Sequence, residues 1–140
     1  MAYDSLREQL QRWTTFDAPT GFEEPVLSAA REELFPLCDP VELDVRGNLY
    51  GTIEGTSATA PRVMLTAHAD EIGFMVTSIL EGGFLRFTRL GGPTPMVLPG
   101  QRVRLITKTH TLEGVIGVKP GHIVSADEAR TLPEVAAMYI

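Results

Sequence analysis

The densest run of chemically competent side chains is His68-Ala69-Asp70-Glu71. A neutral imidazole is a common ligand for a divalent metal, and a nearby carboxylate can fix its tautomer and orientation. Side chains alternate along an extended segment, so His68 and Asp70 share one face and Glu71 points to the other. His68 is therefore the candidate metal ligand, and Asp70 the candidate catalytic carboxylate that supports it. Spacing alone also allows a simpler reading, a satisfied His and Asp at the end of a strand. Both readings stay open at this level.

The remaining candidates offer less. His110 lies in Lys108-Thr109-His110, where a hairpin tip is expected, and His122 follows Lys119-Pro120-Gly121 in an expected loop. Solvent or backbone contacts are the default for both. No Ser or Cys occupies a Gly-x-Ser-x-Gly elbow, and the stretch 51–55 lacks the Gly-Lys-Ser/Thr of a phosphate-binding loop. The pairs Glu23-Glu24 and Glu32-Glu33 fall on expected helices and read as solvated faces. A glycosidase needs two carboxylates facing one sugar, roughly 5 to 9.5 Å apart. Asp70 and Glu71 are adjacent and on opposite faces, so they fail as that pair. Cys38, the single cysteine, excludes an internal disulfide and a cysteine-rich zinc site, and is expected to be a small buried residue.

Helices come first in the elements that must position these groups. Leu6, Leu10 and Trp13 recur at i, i+4 and i+7, with Asp4 or Ser5 available as a cap. A break at 16–21 precedes Thr20-Gly21-Phe22-Glu23, which has the form of a capping box, and Pro25 suits the first turn of a second helix. Val26, Leu27, Ala30, Leu34 and Leu37 would form its buried face, with Pro40 as the stop. Val41 to Val45 alternates, Gly47-Asn48 supplies a turn, and Leu49 to Ile53 returns as a hairpin. Arg62 to His68 is apolar on both faces, the pattern of a central strand covered on each side. Its end would place His68 and Asp70 where open α/β sheets hold ligands.

Beyond Glu71 the pattern turns to short strands with glycine turns. Ile72 to Leu80 and Phe84 to Leu90 flank Glu81-Gly82-Gly83, and Arg102 to Thr107 pairs with Leu112 to Val118 after a Gly/Pro loop at 91–100. A small barrel or sandwich is expected there. The chain ends on Glu134-Val-Ala-Ala-Met-Tyr-Ile140, an apolar run with no cap or polar tail. Chain ends are normally exposed and frayed, so an interruption within an element is the expectation here.

Composition bounds the function classes. The chain has 140 residues, 44% hydrophobic and 21% charged, which is globular and amounts to one domain or a piece of a larger one. Net charge is −6, against nucleic-acid binding, which needs clustered Lys and Arg. The charge is uneven, with 11 acids and 4 bases in residues 1–60 but 7 acids and 8 bases in 61–140. Two structural regions would account for that asymmetry. No stretch is long and apolar enough for a bilayer, and the N-terminus lacks the basic and apolar regions of a secretory signal. A cytoplasmic location, with neither membrane nor nucleic acid as partner, follows as the expectation.

A set of ordered motifs narrows the reading. Thr20-Gly21-Phe22-Glu23-Glu24, Asp44-x-x-Gly47-Asn48-Leu49, Ala67-His68-Ala69-Asp70-Glu71-Ile72-Gly73-Phe74-Met75-Val76, Gly82-Gly83-Phe84-Leu85-Arg86-Phe87, Leu98-x-Gly100-Gln101-Arg102-Val103 and Gly114-Val115-Ile116-Gly117 occur in succession. Together they resemble the N-terminal part of the tetrahedral, dinuclear-metal aminopeptidases, which include glutamyl and deblocking enzymes, some of them labelled endoglucanases. The resemblance covers nearly the whole chain. Two loops depart from the family pattern: Gly92-Pro93-Thr94-Pro95 replaces a more usual Gly-Gly-Trp, and Gly121 stands where a second Pro is common.

The resemblance implies an α/β fold, the opening of a three-layer catalytic domain over residues 1–70, followed over 71–140 by most of a small β-barrel dimerisation domain. It implies that His68 binds one of two divalent metals, zinc or cobalt, that Asp70 orients it, and that peptides are the substrate. The family's bridging aspartate, catalytic glutamate, adjacent ligand glutamate, further aspartate and final histidine would all lie beyond position 140. A homo-oligomer through the barrel, or a complementing C-terminal segment, is the expected partner. The competing expectation is a non-catalytic assembly module descended from the same family.

Overall fold

The computed structural model describes residues 2–126, 130–131 and 133–140. They form two compact units, one ending at Glu71 and the other spanning Ile72–Ile140.

In the first unit, α1 (Ala2–Trp13) and α2 (Glu24–Leu34) precede a short hairpin of β1 (Val41–Leu43) and β2 (Leu49–Gly51). Helix α1 begins at Ala2, so Asp4 and Ser5 lie inside it and neither is its cap residue. Leu6 and Leu10 are exposed, and Trp13 is partly covered, with Phe16 tilted against it at 5.8 Å and the Arg12 guanidinium 5.2 Å from its ring. The second helix starts at Glu24 with Pro25 in its first turn. The expected capping box at Thr20–Glu23 does not form. With Thr20 as cap, Pro25 would be the fifth helical residue, where its missing N–H would forfeit a bond to the Gly21 carbonyl. Gly21 instead takes φ +88° and lends its N–H to the Glu23 carboxylate at 2.6 Å, so the Thr20 side chain is released for another use.

The buried face expected of α2 is only half covered. Val26, Leu27, Ala30 and Leu34 are partly buried and Leu37 is exposed. The end of the helix meets β2, where Gly51 faces Cys38: a methyl at Gly51 would stand 2.8 Å from the Cys38 sulfur. Cys38 is a free thiol, partly rather than fully buried. Between β1 and β2, Asp44 organises the turn. Its Oδ1 accepts the N–H groups of Arg46 and Asn48, each at 2.8 Å, and its Oδ2 accepts the Asn48 amide at 2.8 Å, while Gly47 takes φ +84°. The Asn48 side-chain bond, followed by its backbone bond, holds the Asp44 carboxyl below the usual carboxylate range.

The central strand expected over Arg62 to His68 is the main correction. This segment is not assigned to any sheet, and Val63, Met64 and Leu65 are 81%, 79% and 93% exposed. A strand apolar on both faces needs partners on its edges and cover on each side. None of the described strands pairs with it.

The second unit is built from two hairpins: β3 (Gly73–Ile79) with β4 (Leu85–Leu90), and β5 (Arg102–Ile106) with β6 (Thr111–Val115). The first carries a register shift at Thr77. The second runs in unbroken register from Arg102↔Val115 to Ile106↔Thr111, with Val103 and Leu105 turned toward cover and Arg102 and Arg104 outward.

The C-terminal run joins them. Leu85 and Ile140 exchange backbone bonds of 2.8 and 3.0 Å, and Gly117 and Tyr139 exchange bonds of 2.7 and 3.1 Å. Arg86 donates to the Ala136 and Met138 carbonyls. Met138, wholly buried, thus enters a core with Phe87, Leu98 and Ile116, against which Phe74 packs edge-on to Phe87 at 5.0 Å. The loop 91–100 contributes Leu98, and Gly117 gives the Tyr139 ring its space, since a methyl there would lie 2.5 Å from it.

Two tests follow from this packing. Met138→Ala should lower unfolding stability by about 2–5 kcal/mol in urea titration, and Met138→Leu by about 1.5 kcal/mol or less. Equal, small effects would mean that the C-terminal seam does not carry the core. Asp44→Ala should destabilise at pH 7 and stop doing so in acid. A depressed folded-state pKa contributes stability above the unfolded value of about 3.9, and loses it as pH falls through the lower folded value. A gap between wild type and variant that stays constant down to pH ~2 would contradict this.

Candidate functional site

The candidate residues lie where the first unit closes on itself. Ala18 is buried and offers both backbone groups to Glu71: the Glu71 N–H donates to its carbonyl at 2.9 Å, and its N–H donates to Glu71 Oε1 at 3.1 Å. Pro19 and Glu71 form a parallel bridge. Thr20, one residue on, donates its hydroxyl to Asp70 Oδ2 at 2.7 Å. The turn that fails as a capping box therefore serves as a clasp for Asp70 and Glu71.

His68 and Asp70 come together as their spacing suggests. His68 Nδ1 lies 2.9 Å from the Asp70 carbonyl oxygen and 3.2 Å from Asp70 Oδ1. Both neighbours are acceptors, so Nδ1 must carry the proton of the neutral ring, and the lone pair resides on Nε2. The side chain of His68 is 86% exposed, which leaves that nitrogen open to a ligand. The Thr20 hydroxyl, and after it the His68 contact, holds the Asp70 carboxyl below the usual carboxylate range, against a desolvation that acts the other way. Asp70 is thus an anion at neutral pH, able to steady an imidazole that gives its electrons elsewhere.

The Glu71 carboxylate is spent on the Ala18 N–H, two residues from the Thr20 hydroxyl that Asp70 holds. Among the described residues, no three His, Cys, Asp or Glu side chains stand together to hold a metal. His110 closes the β5–β6 turn, where Thr107 Oγ1 accepts its N–H and its ring nitrogen meets Thr109, and His122 is exposed in a short 3-10 turn. Thr20 and Ala18 are the contributors that pattern reading misses. Thr20 is 50 residues from Asp70 and carries a local motif with a plausible local use.

Comparison with known proteins agrees with this arrangement of motifs. Residues 47–140 match the M42 glutamyl aminopeptidase family. A glutamyl aminopeptidase of Lactococcus lactis is 37% identical over 120 residues, 85% of this chain and 34% of that protein. Among solved structures, a TET aminopeptidase from the marine sediment archaeon Thaumarchaeota archaeon SCGC AB-539-E09 superposes with a TM-score of 0.89 at 34% identity, over 99% of this chain and 38% of its own. The TET1 peptidase of Pyrococcus horikoshii, which can assemble into a tetrahedron or a large octahedral shell, gives 0.77 at 31% identity over 94% and 38%. The chain therefore spans about a third of the length of the curated relatives it matches.

The clasp makes a direct prediction. Glu71→Ala should speed amide hydrogen exchange at Ala18 about tenfold, the equivalent of the roughly 1.5 kcal/mol typical of a hydrogen bond to a charged group. Glu71→Gln, which keeps an acceptor oxygen, should change it less. Unchanged exchange at Ala18 in both variants would show that the carboxylate does not hold the turn.

Proposed function

The chain belongs to the M42 glutamyl aminopeptidase family, and on that footing we propose that it forms part of a metal-dependent aminopeptidase removing N-terminal residues from peptides. The observation that carries this reading is the state of His68, with Nδ1 engaged by Asp70, an anionic carboxylate, and Nε2 bonded to none of the described residues. That donor set suits one ligand of a divalent ion, zinc or cobalt. When bound, a pair of such ions would polarise a peptide carbonyl and lower the pKa of a water. His68 supplies the lone pair at Nε2, and Asp70 keeps the proton at Nδ1 and offsets the positive charge that the ring acquires.

One histidine does not make the site, since even a single catalytic zinc typically takes three protein ligands. The remaining ligands and the glutamate that acts as base come from outside these 140 residues, on a longer polypeptide or a complementing one. In this reading the first unit is the opening of the α/β catalytic domain, and the second is the greater part of a β-barrel that joins subunits. The shells formed by the Pyrococcus horikoshii relative support a homo-oligomer. No described helix is long and apolar enough to cross a membrane, and a cytoplasmic location is part of the same proposal. A non-catalytic assembly module is the second reading. It is favoured by one observation, the lack of any third ligand near His68 among the described residues.

Hydrolysis of Leu- and Glu-p-nitroanilide in the presence of cobalt separates the two. The 140-residue chain by itself should release no p-nitroaniline. In the complete assembly, His68→Ala should lower turnover by on the order of 100-fold or more. Activity of the isolated chain would overturn the need for ligands from outside it, and full turnover after the substitution would overturn the assignment of His68; a complete assembly with no activity at all would favour the module.

A further inference from the structure

We propose that Thr20 is a positioning residue for His68, acting through the Asp70 carboxylate that it holds at 2.7 Å. The inference rests on the reading of His68 as a metal ligand for its functional meaning, but its geometry stands apart from it.

The His68 ring has little else to orient it. Its side chain is largely exposed, and residues 62–68 lie outside any sheet, so neither packing nor a ladder fixes the imidazole. Its orientation depends on what Nδ1 meets, namely the Asp70 carbonyl and Oδ1. A carboxylate on a partly exposed side chain can rotate about two torsions. Thr20 removes that freedom by binding Oδ2, which leaves Oδ1 facing His68.

Thr20 can do this because its own backbone is immobilised. Ala18 is tied twice to Glu71, Pro19 bridges Glu71, and the Phe22 N–H returns to the Pro19 carbonyl at 2.8 Å. Hydroxyl, carboxylate and imidazole thus form a chain of three groups, with a fixed backbone at one end and Nε2 at the other. The competing possibility is that the Asp70 carbonyl alone holds the ring, and that Thr20 only closes the loop.

The tautomer of His68 decides between them, and it can be read without metal or activity. In the 15N-histidine-labelled chain at roughly pH 8, where an ordinary imidazole is neutral, long-range proton–nitrogen spectra should show His68 predominantly protonated at Nδ1. Thr20→Val, which keeps the shape and loses the donor, should shift the two His68 nitrogens toward the exchange-averaged pattern of an imidazole in a free histidine peptide. Thr20→Ser should retain the wild-type pattern. Thr20→Ala serves as a second hydroxyl-free variant, and the amide shifts of Ala18 and Glu71 report in each case that the clasp is folded.

A wild-type His68 pattern in both hydroxyl-free variants would overturn the proposal and assign the orientation to the Asp70 carbonyl. Failure of Ser to restore the pattern would do the same, since it would tie the effect to the methyl group. A tautomer that follows Thr20 in a protein whose peptide hydrolysis ignores His68 would keep this inference and remove the catalytic reading. The reverse pair of results would keep that reading and remove this inference.

Discussion

The first unit depends on the closure of residues 18–20 against Asp70 and Glu71. A main-chain bridge alone would place the two segments side by side, but two carboxylates give that contact its chemistry. Glu71 satisfies the N–H of buried Ala18, which would otherwise be an unpaired donor away from water. Asp70 takes the Thr20 hydroxyl on one oxygen and faces the His68 ring with the other. The adjacent acids thus divide the work, one holding the turn and one addressing the imidazole.

A comparable closure organises the second unit by different means. Two antiparallel hairpins each have a local register, but a single hairpin is marginal in water until a third element covers its apolar face. Here that element is the C-terminal run, bonded to Leu85 of one hairpin at Ile140 and to Gly117 beyond the other at Tyr139. Met138, which precedes these two contacts and is held by Arg86 at its carbonyl, has no exposed surface. The glycine at 117 leaves room for the Tyr139 ring, which in turn meets Phe84 edge-on at 5.2 Å. The apolar terminus, anomalous as a free end, is the seam of this unit.

The family motifs acquire individual reasons in this light. Asp44-x-x-Gly47-Asn48 is a turn in which one carboxylate accepts hydrogen bonds from Arg46 and Asn48, and from Tyr50 just beyond, while glycine supplies the left-handed residue. Thr20-Gly21-x-Glu23 has a hydroxyl bound to Asp70 and a left-handed glycine whose N–H is held by Glu23. Gly114 and Gly117 admit Ile140 and Tyr139, where a methyl would fall 2.5 Å from either side chain. Most of the motif set is therefore turn and close-approach chemistry. His68 and Asp70 are the part of it that faces outward with reactive groups.

What the sequence determined by itself was local. Period-2 alternation and glycine turns located both hairpins of the second unit, Pro25 marked the first turn of α2, and the spacing of His68 and Asp70 brought those two within reach of each other, because these follow from backbone geometry over a few residues. Membership of the family was legible too, since ordered motifs survive without coordinates. Tertiary structure decided the rest. It gave Thr20 to Asp70 instead of to its own helix, because Pro25 shifts the helix start beyond its reach. It left 62–68 as an exposed segment despite a strand-like sequence, because a strand exists only through its neighbours. It turned the apolar terminus into the seam of a core, because a hydrogen-bonding edge is chosen by what lies beside it in space, across separations such as the 50 residues from Thr20 to Asp70 that no periodicity records.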